Sequence, residues 1–146
     1  MSREILFRGK VSRGCSWVYG HYAALNDGYR PDLLRHYILS GELDYDDRCG
    51  KEDIRKVEID PNTLGQYTGI KDKNGKRIFE GDIVDCWSEG VNAQGTVQQR
   101  KDGMWIIYPA WQNAIMWGLC PDEYCHTTVE VIGNIHDSPD MRKECE

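Results

Sequence analysis

The residues best suited to bind a metal lie in one short run, CPDEYCH at positions 120–126. Cys120, Cys125 and His126 offer thiolate and imidazole ligands, with two carboxylates between them. Structural zinc sites usually combine two such ligand pairs in tetrahedral geometry. Only one pair exists in this run, and the other cysteines lie far away in sequence. No metal site is therefore assigned, and whether these three side chains bind metal stays open.

A glycine-rich stretch, residues 66–84, has the composition of a phosphate-binding loop. It reads QYTGIKDKNGKRIFEGDIV. A P-loop needs GxxxxGK[ST] between a strand and a helix. Here Gly69 and Gly75 have the wrong spacing, and neither Ser nor Thr follows Lys76. The stretch therefore favours a structural role over phosphate binding.

That structural role can be assigned residue by residue. Asn74-Gly75 is typical of a tight hairpin turn that needs positive φ angles. Gly81 lets the chain bend before a new strand, and we expect Asp82 to accept a hydrogen bond from a nearby backbone N–H. The structural motif comprises Gly65, Tyr67, Gly69, Asp72, Asn74, Gly75, Gly81 and Asp82.

The sequence shows no signature of nucleophilic or acid–base catalysis. There is no GxSxG elbow and no family-specific cysteine motif. His136 and Asp137 are adjacent, and adjacent side chains on a strand point to opposite faces. The other candidates are interpreted as turn, strand or surface residues: His21, His36, Glu80, Asp82 and Asp85. No catalytic or cofactor-binding residue is assigned, no cofactor is expected, and we expect a protein that is not an enzyme.

Aromatic side chains next to cations are the usual stacking surface for nucleic acid. The C-terminal half carries such a set, which is the candidate interaction surface: Trp87, Arg100, Lys101, Trp105, Trp111 and Trp117. The alternative is that some of these tryptophans fill the core. The net charge of −6 argues against non-specific affinity for nucleic acid.

Composition places the chain among globular proteins. Its 146 residues suffice for one domain, 1–146, with two sub-lobes at residues 1–60 and 61–146. No apolar run is long enough to cross a membrane, and residues 1–10 lack the apolar core of a signal peptide. We therefore expect a cytoplasmic protein without a membrane partner, in which the six cysteines are reduced thiols.

The elements predicted from the pattern are short strands separated by Gly, Asn and Asp. Residues 4–11 and 16–25 form a hairpin, and GTVQQR, Lys101-Asp102-Gly103 and MWIIYP form another. Residues 31–40 are ambiguous, because their apolar residues have helical spacing whereas HYIL alone suits a strand. Residues 41–53 are predicted to be an exposed acidic loop. The pattern favours an antiparallel sheet curled into a small barrel or sandwich.

The stretch TLGQYTGIKDKNGKRIFEGDIV resembles the signature of the YopX family, small proteins encoded by bacteriophages and prophages. The family pattern is TVGQYTGLKDKNGKxIxEGDIV, and Leu64 stands where the family often has Val. REILFRGK with SWVYG is similar to the family's N-terminal hairpin, and VEVIGNIHDSPDM to its C-terminal VIGNIYENP segment. The resemblance is weak over residues 26–56 and 88–125.

The resemblance implies a mostly β fold, with an N-terminal hairpin lobe and a C-terminal SH3-like barrel. It also favours a strand for HYIL, a phage or prophage origin and a bacterial cytoplasm. The family has no known function and no assigned catalytic residues. We therefore expect a non-enzymatic binding or assembly module. A nucleic-acid-binding regulator that uses the barrel face and a metal-dependent enzyme are the alternatives.

The expected partners follow from one apolar segment. Residues 104–119, MWIIYPAWQNAIMWGL, hold more large apolar side chains than a small lobe can bury. An exposed apolar patch marks an interface, and identical patches on two copies form a symmetric oligomer. We expect a homo-oligomer, with a host or phage protein as a further candidate partner.

Overall fold

The computed structural model describes residues 3–26, 28–88, 91–108, 117–120 and 127–137. They form short antiparallel strands and one turn of 3-10 helix, so the predicted mostly β fold is confirmed. Within these ranges, no helix is long and apolar enough to cross a membrane. The chain divides into two compact units. We call Ile5–Gln66 the N-terminal unit, and Met1–Glu4 together with Tyr67–Glu146 the C-terminal unit.

The N-terminal unit is an antiparallel meander in which each strand pairs with the next. Its strands are β1 (Phe7–Lys10), β2 (Trp17–Leu25), β3 (Arg35–Asp46) and β4 (Lys51–Glu58). The hairpin predicted over residues 4–25 is confirmed as β1 and β2. On the other side of β1 lie Gly65 and Gln66, the first residues of β5 (Gly65–Lys71). Strand β4 is therefore the last strand of this unit's sheet, and on its outer side the Ser12 N–H donates to its final residue, Glu58.

Two ambiguities of the sequence are resolved in β3 and β4. HYIL belongs to β3, so the strand favoured by the family resemblance is confirmed and the helix is wrong. The loop predicted over residues 41–53 is also wrong, because β3 continues to Asp46 and β4 begins at Lys51. The segment is exposed, as expected, but it is a hairpin that pairs in register up to Asp46 and Lys51.

The small core of the N-terminal unit includes Ile38 and Ile59, which are almost fully buried. Asp60 starts a 3-10 turn, Pro61–Thr63, and its side chain accepts a hydrogen bond from the Asn62 N–H at 3.0 Å. A turn at Asp60-Pro61-Asn62 therefore follows β4. Strands β2 and β3 approach closely at Gly20, where a Cβ would lie 2.0 Å from the Leu39 carbonyl oxygen.

Over its described residues, the C-terminal unit contains the rest of β5 and six further strands. These are β6 (Arg77–Phe79), β7 (Asp82–Ser88), β8 (Val91–Gln99), β9 (Trp105–Tyr108), β10 (Trp117–Gly118) and β11 (Glu130–Asn134). Five of them form one antiparallel sheet in the order β10-β9-β8-β7-β11. The predicted β8–β9 hairpin is confirmed. In the part of the chain described, β10 and β11 are the edges of this sheet, so it does not close into the expected barrel.

One apolar cluster forms the core of the C-terminal unit. Its members come from β5 to β9 and from the segments beside β10 and β11: Ile70, Ile78, Val84, Cys86, Ala93, Val97, Trp105, Ile107, Leu119 and Val129. In β9 three consecutive residues, WII, are buried. Both faces of β9 are therefore covered, and the alternation expected of a half-exposed strand does not hold there.

The turn between β5 and β6 has the geometry that its Asn-Gly pair predicts. Gly75 has a φ of 81°, and its N–H donates to the Asp72 carbonyl at 2.9 Å. The Asp72 N–H in turn donates to the Lys76 carbonyl at 2.7 Å. This pattern is typical of a type I turn followed by a glycine in the left-handed region.

We expect Gly75→Val to lower the free energy of unfolding by about 1 kcal/mol or more, because a β-branched residue resists positive φ. No atom lies within 4 Å of a Cβ at this position, so the effect would come from the backbone alone. The measurement is urea unfolding, with Lys76→Val in the same turn as the control. Equal unfolding midpoints for the two variants would contradict the assignment of this turn.

Candidate functional site

The predicted aromatic and basic surface is not assembled as expected. Trp105 is only 7% exposed and belongs to the core, so its place in that surface is wrong. Trp117 is partly buried and packs against the same core. Trp105 therefore contributes to packing, as the alternative interpretation holds. Trp111 lies outside the described residues.

The remaining members of that surface lie far apart. Trp87 is 64% exposed and pairs with Asn92 near the start of β8. Arg100 and Lys101 are exposed beyond the other end of β8, a separation of roughly 25 Å at the usual rise of a strand. Arg100 also forms an ion pair with Asp102 at 3.1 Å. These residues therefore do not form one continuous stacking surface.

The cysteines show no reactive centre in the described ranges. Cys15, Cys49, Cys86 and Cys120 are free thiols. Burial, together with the nearby Asp85 carboxylate, raises the pKa of Cys86 to about 11, so its thiol is protonated at neutral pH. Among the described residues no group of three or more His, Cys, Asp or Glu is placed to hold a metal ion. Cys125 and His126 lie outside those residues, so the candidate zinc ligands stay untested.

The predicted structural motif uses its polar groups to bind backbone. Asp72 is 1% exposed, and its Oδ1 accepts from the N–H groups of Asn74 and Lys76, both at 2.9 Å. Its Oδ2 accepts from the Val131 N–H of β11 at 3.1 Å. One carboxylate therefore closes the β5–β6 turn and ties it to a strand 59 residues away.

The second carboxylate of the motif acts in the same way. Asp82 is 1% exposed, and its Oδ2 accepts from the Phe79 N–H at 2.8 Å, which confirms the predicted hydrogen bond. Gly81 has a φ of 89°, donates to the Val97 carbonyl and accepts from the Ile135 N–H. The Thr68 hydroxyl donates to the Ile78 carbonyl at 2.8 Å. The motif thus fixes local strand connections.

The other candidate acid–base groups do not converge. Burial raises the pKa of Glu80, which lies between β6 and β7. The His36 Nδ1 lies 2.6 Å from the Tyr22 hydroxyl, and the two rings stack with centroids 5.9 Å apart. His21 is exposed on β2. These contacts are those of packing and surface residues.

A cluster of exposed apolar side chains in the N-terminal unit lies at the end of the β3–β4 hairpin. We call residues 42–55 the hairpin tip. Leu43, Tyr45 and Ile54 are 60%, 62% and 53% exposed. Leu43 pairs with Ile54, and Tyr45 is two residues from Leu43, so the three side chains share one face. A two-stranded ribbon thus presents a row of large apolar groups to solvent.

The opposite face of the hairpin tip is charged. Arg55 donates to the Asp44 Oδ1 from two nitrogens, at 3.0 and 2.6 Å, and also binds Glu42. These hydrogen bonds lower the pKa of Asp44 and raise that of Arg55. Asp53 lies directly opposite Asp44, a like-charge pair that destabilises a ladder.

The hairpin tip is also acidic as a whole. Its six carboxylates are Glu42, Asp44, Asp46, Asp47, Glu52 and Asp53, against the three cations Arg48, Lys51 and Arg55. Among the described residues, Glu52 and Asp53 make no ion pair. The tip therefore combines an open apolar face with two carboxylates, Glu52 and Asp53, that have no cationic partner in the part of the chain that the structure describes.

Comparison with protein families decides the kinship of this fold. The model of the YopX protein family matches residues 6–141. The chain belongs to the YopX family. The family predicted from the glycine-rich stretch is thereby confirmed over nearly the whole chain.

Comparison with solved structures supports the fold of this YopX-family chain. It is similar to the crystal structure of protein EF1440 from Enterococcus faecalis, with 20% identity and a TM-score of 0.51. The match covers 96% of this chain and 99% of that one. At this identity the likeness shows the fold alone. No curated protein matches the chain by sequence.

The hairpin tip of this YopX-family protein was not found by the sequence argument, although a signal exists. Apolar and charged residues alternate through L-D-Y-D at residues 43–46, and a single isoleucine interrupts the charges of E-D-I-R-K at residues 52–56. This is the period of a half-exposed strand. This alternation was overlooked because the segment is rich in Asp and Gly, and both residue types favour loops.

Proposed function

We propose that this YopX-family protein is a non-enzymatic binding or assembly module whose contact surface is the hairpin tip. The observation that carries the proposal is the row of Leu43, Tyr45 and Ile54, each more than half exposed on one face of a paired ribbon. Apolar groups clustered on a surface usually mark an interface, whereas scattered ones need no explanation.

The chemistry of the tip favours a protein partner over nucleic acid. The excess of carboxylates on the tip repels a phosphate backbone. The cations Arg100 and Lys101 lie on the β8–β9 turn of the other unit. The exposed Trp87 lies beside the opposite end of β8, so these cations and this ring do not form one surface. An enzymatic role has less support, because the buried carboxylates Asp72 and Asp82 bind backbone N–H groups. The association with phage or prophage, and with the bacterial cytoplasm, rests on the family resemblance.

The test places a photo-reactive side chain on the tip. In one variant, benzoylphenylalanine replaces the exposed Tyr45 of the tip. In the control variant it replaces Tyr29, which is 92% exposed in the same unit but lies outside the tip. We expect irradiation in cells to give discrete crosslinked protein species from position 45 and not from position 29. Replacing both Leu43 and Ile54 with serine in the position-45 variant should abolish these crosslinked species.

The matched positions make the outcome decisive. Tyr45 and Tyr29 present the same chemistry to solvent, so a difference between them reports the surface around each residue. Equal crosslinking at both positions, or none at position 45, would contradict a contact surface at the tip. Crosslinks to nucleic acid in place of protein would favour the regulator instead.

A further inference from the structure

Strand β4 has an open edge whose hydrogen-bonding groups can be assigned. The Glu58 carbonyl accepts from the Ser12 N–H at 3.1 Å, on the side away from β3, whereas the Ile59 N–H donates to the His36 carbonyl at 2.9 Å. Successive residues of an antiparallel strand direct their N–H and C=O groups to alternate sides. The β3–β4 register shifts between Leu39 and Leu43, and the extra residues lie on β3. The alternation along β4 is therefore kept, and the groups of Lys56, Ile54 and Glu52 point outward, as that of Glu58 does.

A local contact agrees with this assignment. The Ile54 N–H donates to the side chain of its own neighbour, the Asp53 Oδ1, at 2.8 Å. An N–H that belonged to the β3–β4 ladder would instead meet a carbonyl of β3. Ile54 thus has an outward donor that a second strand can take over, which releases the Asp53 carboxylate.

The charges on this edge are arranged antisymmetrically about Ile54. Residues 52–56 read Glu-Asp-Ile-Arg-Lys, with two acids before the isoleucine and two bases after it. We propose that the partner of the hairpin tip is a second copy of this chain, paired antiparallel through β4 on a two-fold axis at Ile54. This proposal rests on the proposed function, because it takes the tip as the contact surface and names what binds there.

The register on Ile54 places each charge within residues 52–56 opposite its complement. Glu52 faces the partner's Lys56 and Asp53 faces the partner's Arg55, and the two-fold axis repeats both pairs. Opposite charges directly across an antiparallel pair stabilise it, and like charges destabilise it. A two-fold axis at a neighbouring residue loses this match. An axis at Asp53 sets Lys51 against the partner's Arg55, and one at Arg55 sets Glu52 against the partner's Glu58.

The same register covers the exposed apolar groups. The outward N–H and C=O of Ile54 meet those of the partner's Ile54, which is the hydrogen-bonded geometry of an antiparallel ladder. Leu43 lies opposite Ile54 on one face, so four strands carry a continuous row of Leu43, Ile54, the partner's Ile54 and the partner's Leu43. On the other face, the partner's Arg55 lies beside Asp53. Its positive charge offsets the repulsion between the carboxylates of Asp53 and Asp44.

Charge-swap variants test this register. In the Glu52→Lys variant, the new lysine lies opposite the partner's Lys56, so two positive charges meet. In the Lys56→Glu variant, the new glutamate lies opposite the partner's Glu52, so two negative charges meet. We expect the wild type to dimerise at micromolar concentration in low salt, and each single variant to dimerise at least about tenfold more weakly. An equimolar mixture of the two variants, and the double variant E52K/K56E, should regain the dimer. Light scattering and sedimentation velocity measure each mass.

A backbone variant tests the edge without charge. Ile54→Pro removes the outward N–H, trims the apolar side chain and leaves the N–H donors of the β3–β4 ladder in place, so we expect loss of the dimer with an unchanged β-type circular dichroism spectrum. A monomeric wild type across a tenfold concentration range would overturn the second copy as partner. Undiminished dimers of both single variants would overturn the register. If the wild type is monomeric while position 45 still forms crosslinks, the proposed function stands and only this inference fails.

Discussion

Replacing Asp72 with alanine should lower the free energy of unfolding by about 3 kcal/mol, because it leaves buried N–H donors without an acceptor. The carboxylate accepts from Asn74, Lys76 and Val131, and its side chain is 1% exposed. Removal therefore weakens both the β5–β6 turn and its tie to β11. Urea unfolding followed by tryptophan fluorescence measures the change.

A second aspartate in a turn of the same unit gives the control. Asp102 is exposed, accepts from the Met104 N–H at 3.2 Å and pairs with Arg100. Since water replaces an exposed acceptor, Asp102→Ala should change stability by less than about 1 kcal/mol. If Asp72→Ala were no more harmful than Asp102→Ala, the Asp72 carboxylate would not be holding the turn.

Replacing Gly20 with alanine should also destabilise the protein by several kcal/mol, on the order of 3 kcal/mol, because backbone must move to admit the methyl group. A Cβ at Gly20 would lie 2.0 Å from the Leu39 carbonyl oxygen and 3.2 Å from the Ile38 Cγ2. Ile38 is 1% exposed, so the neighbouring side chain has little room to shift. Strands β2 and β3 would have to separate at this point.

Gly14 provides the comparison within the same unit. It is exposed, and no atom lies within 4 Å of a Cβ there. Alanine at position 14 should be neutral or stabilise slightly, through the entropy of the unfolded chain. Thermal unfolding of the two variants should differ by many degrees. Similar melting temperatures would mean that β2 and β3 do not approach as closely as described.

Local signals in the sequence predicted most of the hairpins. Asn74-Gly75 and Lys101-Asp102-Gly103 mark turns whose glycines have positive φ, and the flanking strands follow from their apolar residues. The role of Asp72 was only partly visible. Its bonds within the turn are local, but its bond to Val131 depends on how distant strands pair.

The predicted surface failed for a related reason. A period of two tells which side chains share a face, but not whether the other face is covered as well. Trp105 is buried because β9 is covered on both faces, whereas Trp87 on β7 is exposed. The hairpin tip was missed because acidic residues and glycine outweighed the alternation of Leu43, Tyr45 and Ile54. Composition favoured a loop where pairing between two strands produces a ribbon.

The tie between the β5–β6 turn and β11 also constrains the order in which the C-terminal unit forms. Besides the bond from Val131 to Asp72, the Lys73 N–H donates to the Val129 carbonyl at 2.9 Å, and the Thr127 N–H donates to Lys71 at 3.2 Å. Contacts between residues so far apart in sequence slow folding, because a long loop must close first. During synthesis on the ribosome, the turn emerges well before the strand that completes it. Until β11 has been made, the buried carboxylate of Asp72 faces an unfinished edge, and the nascent unit depends on the rest of the chain to become stable.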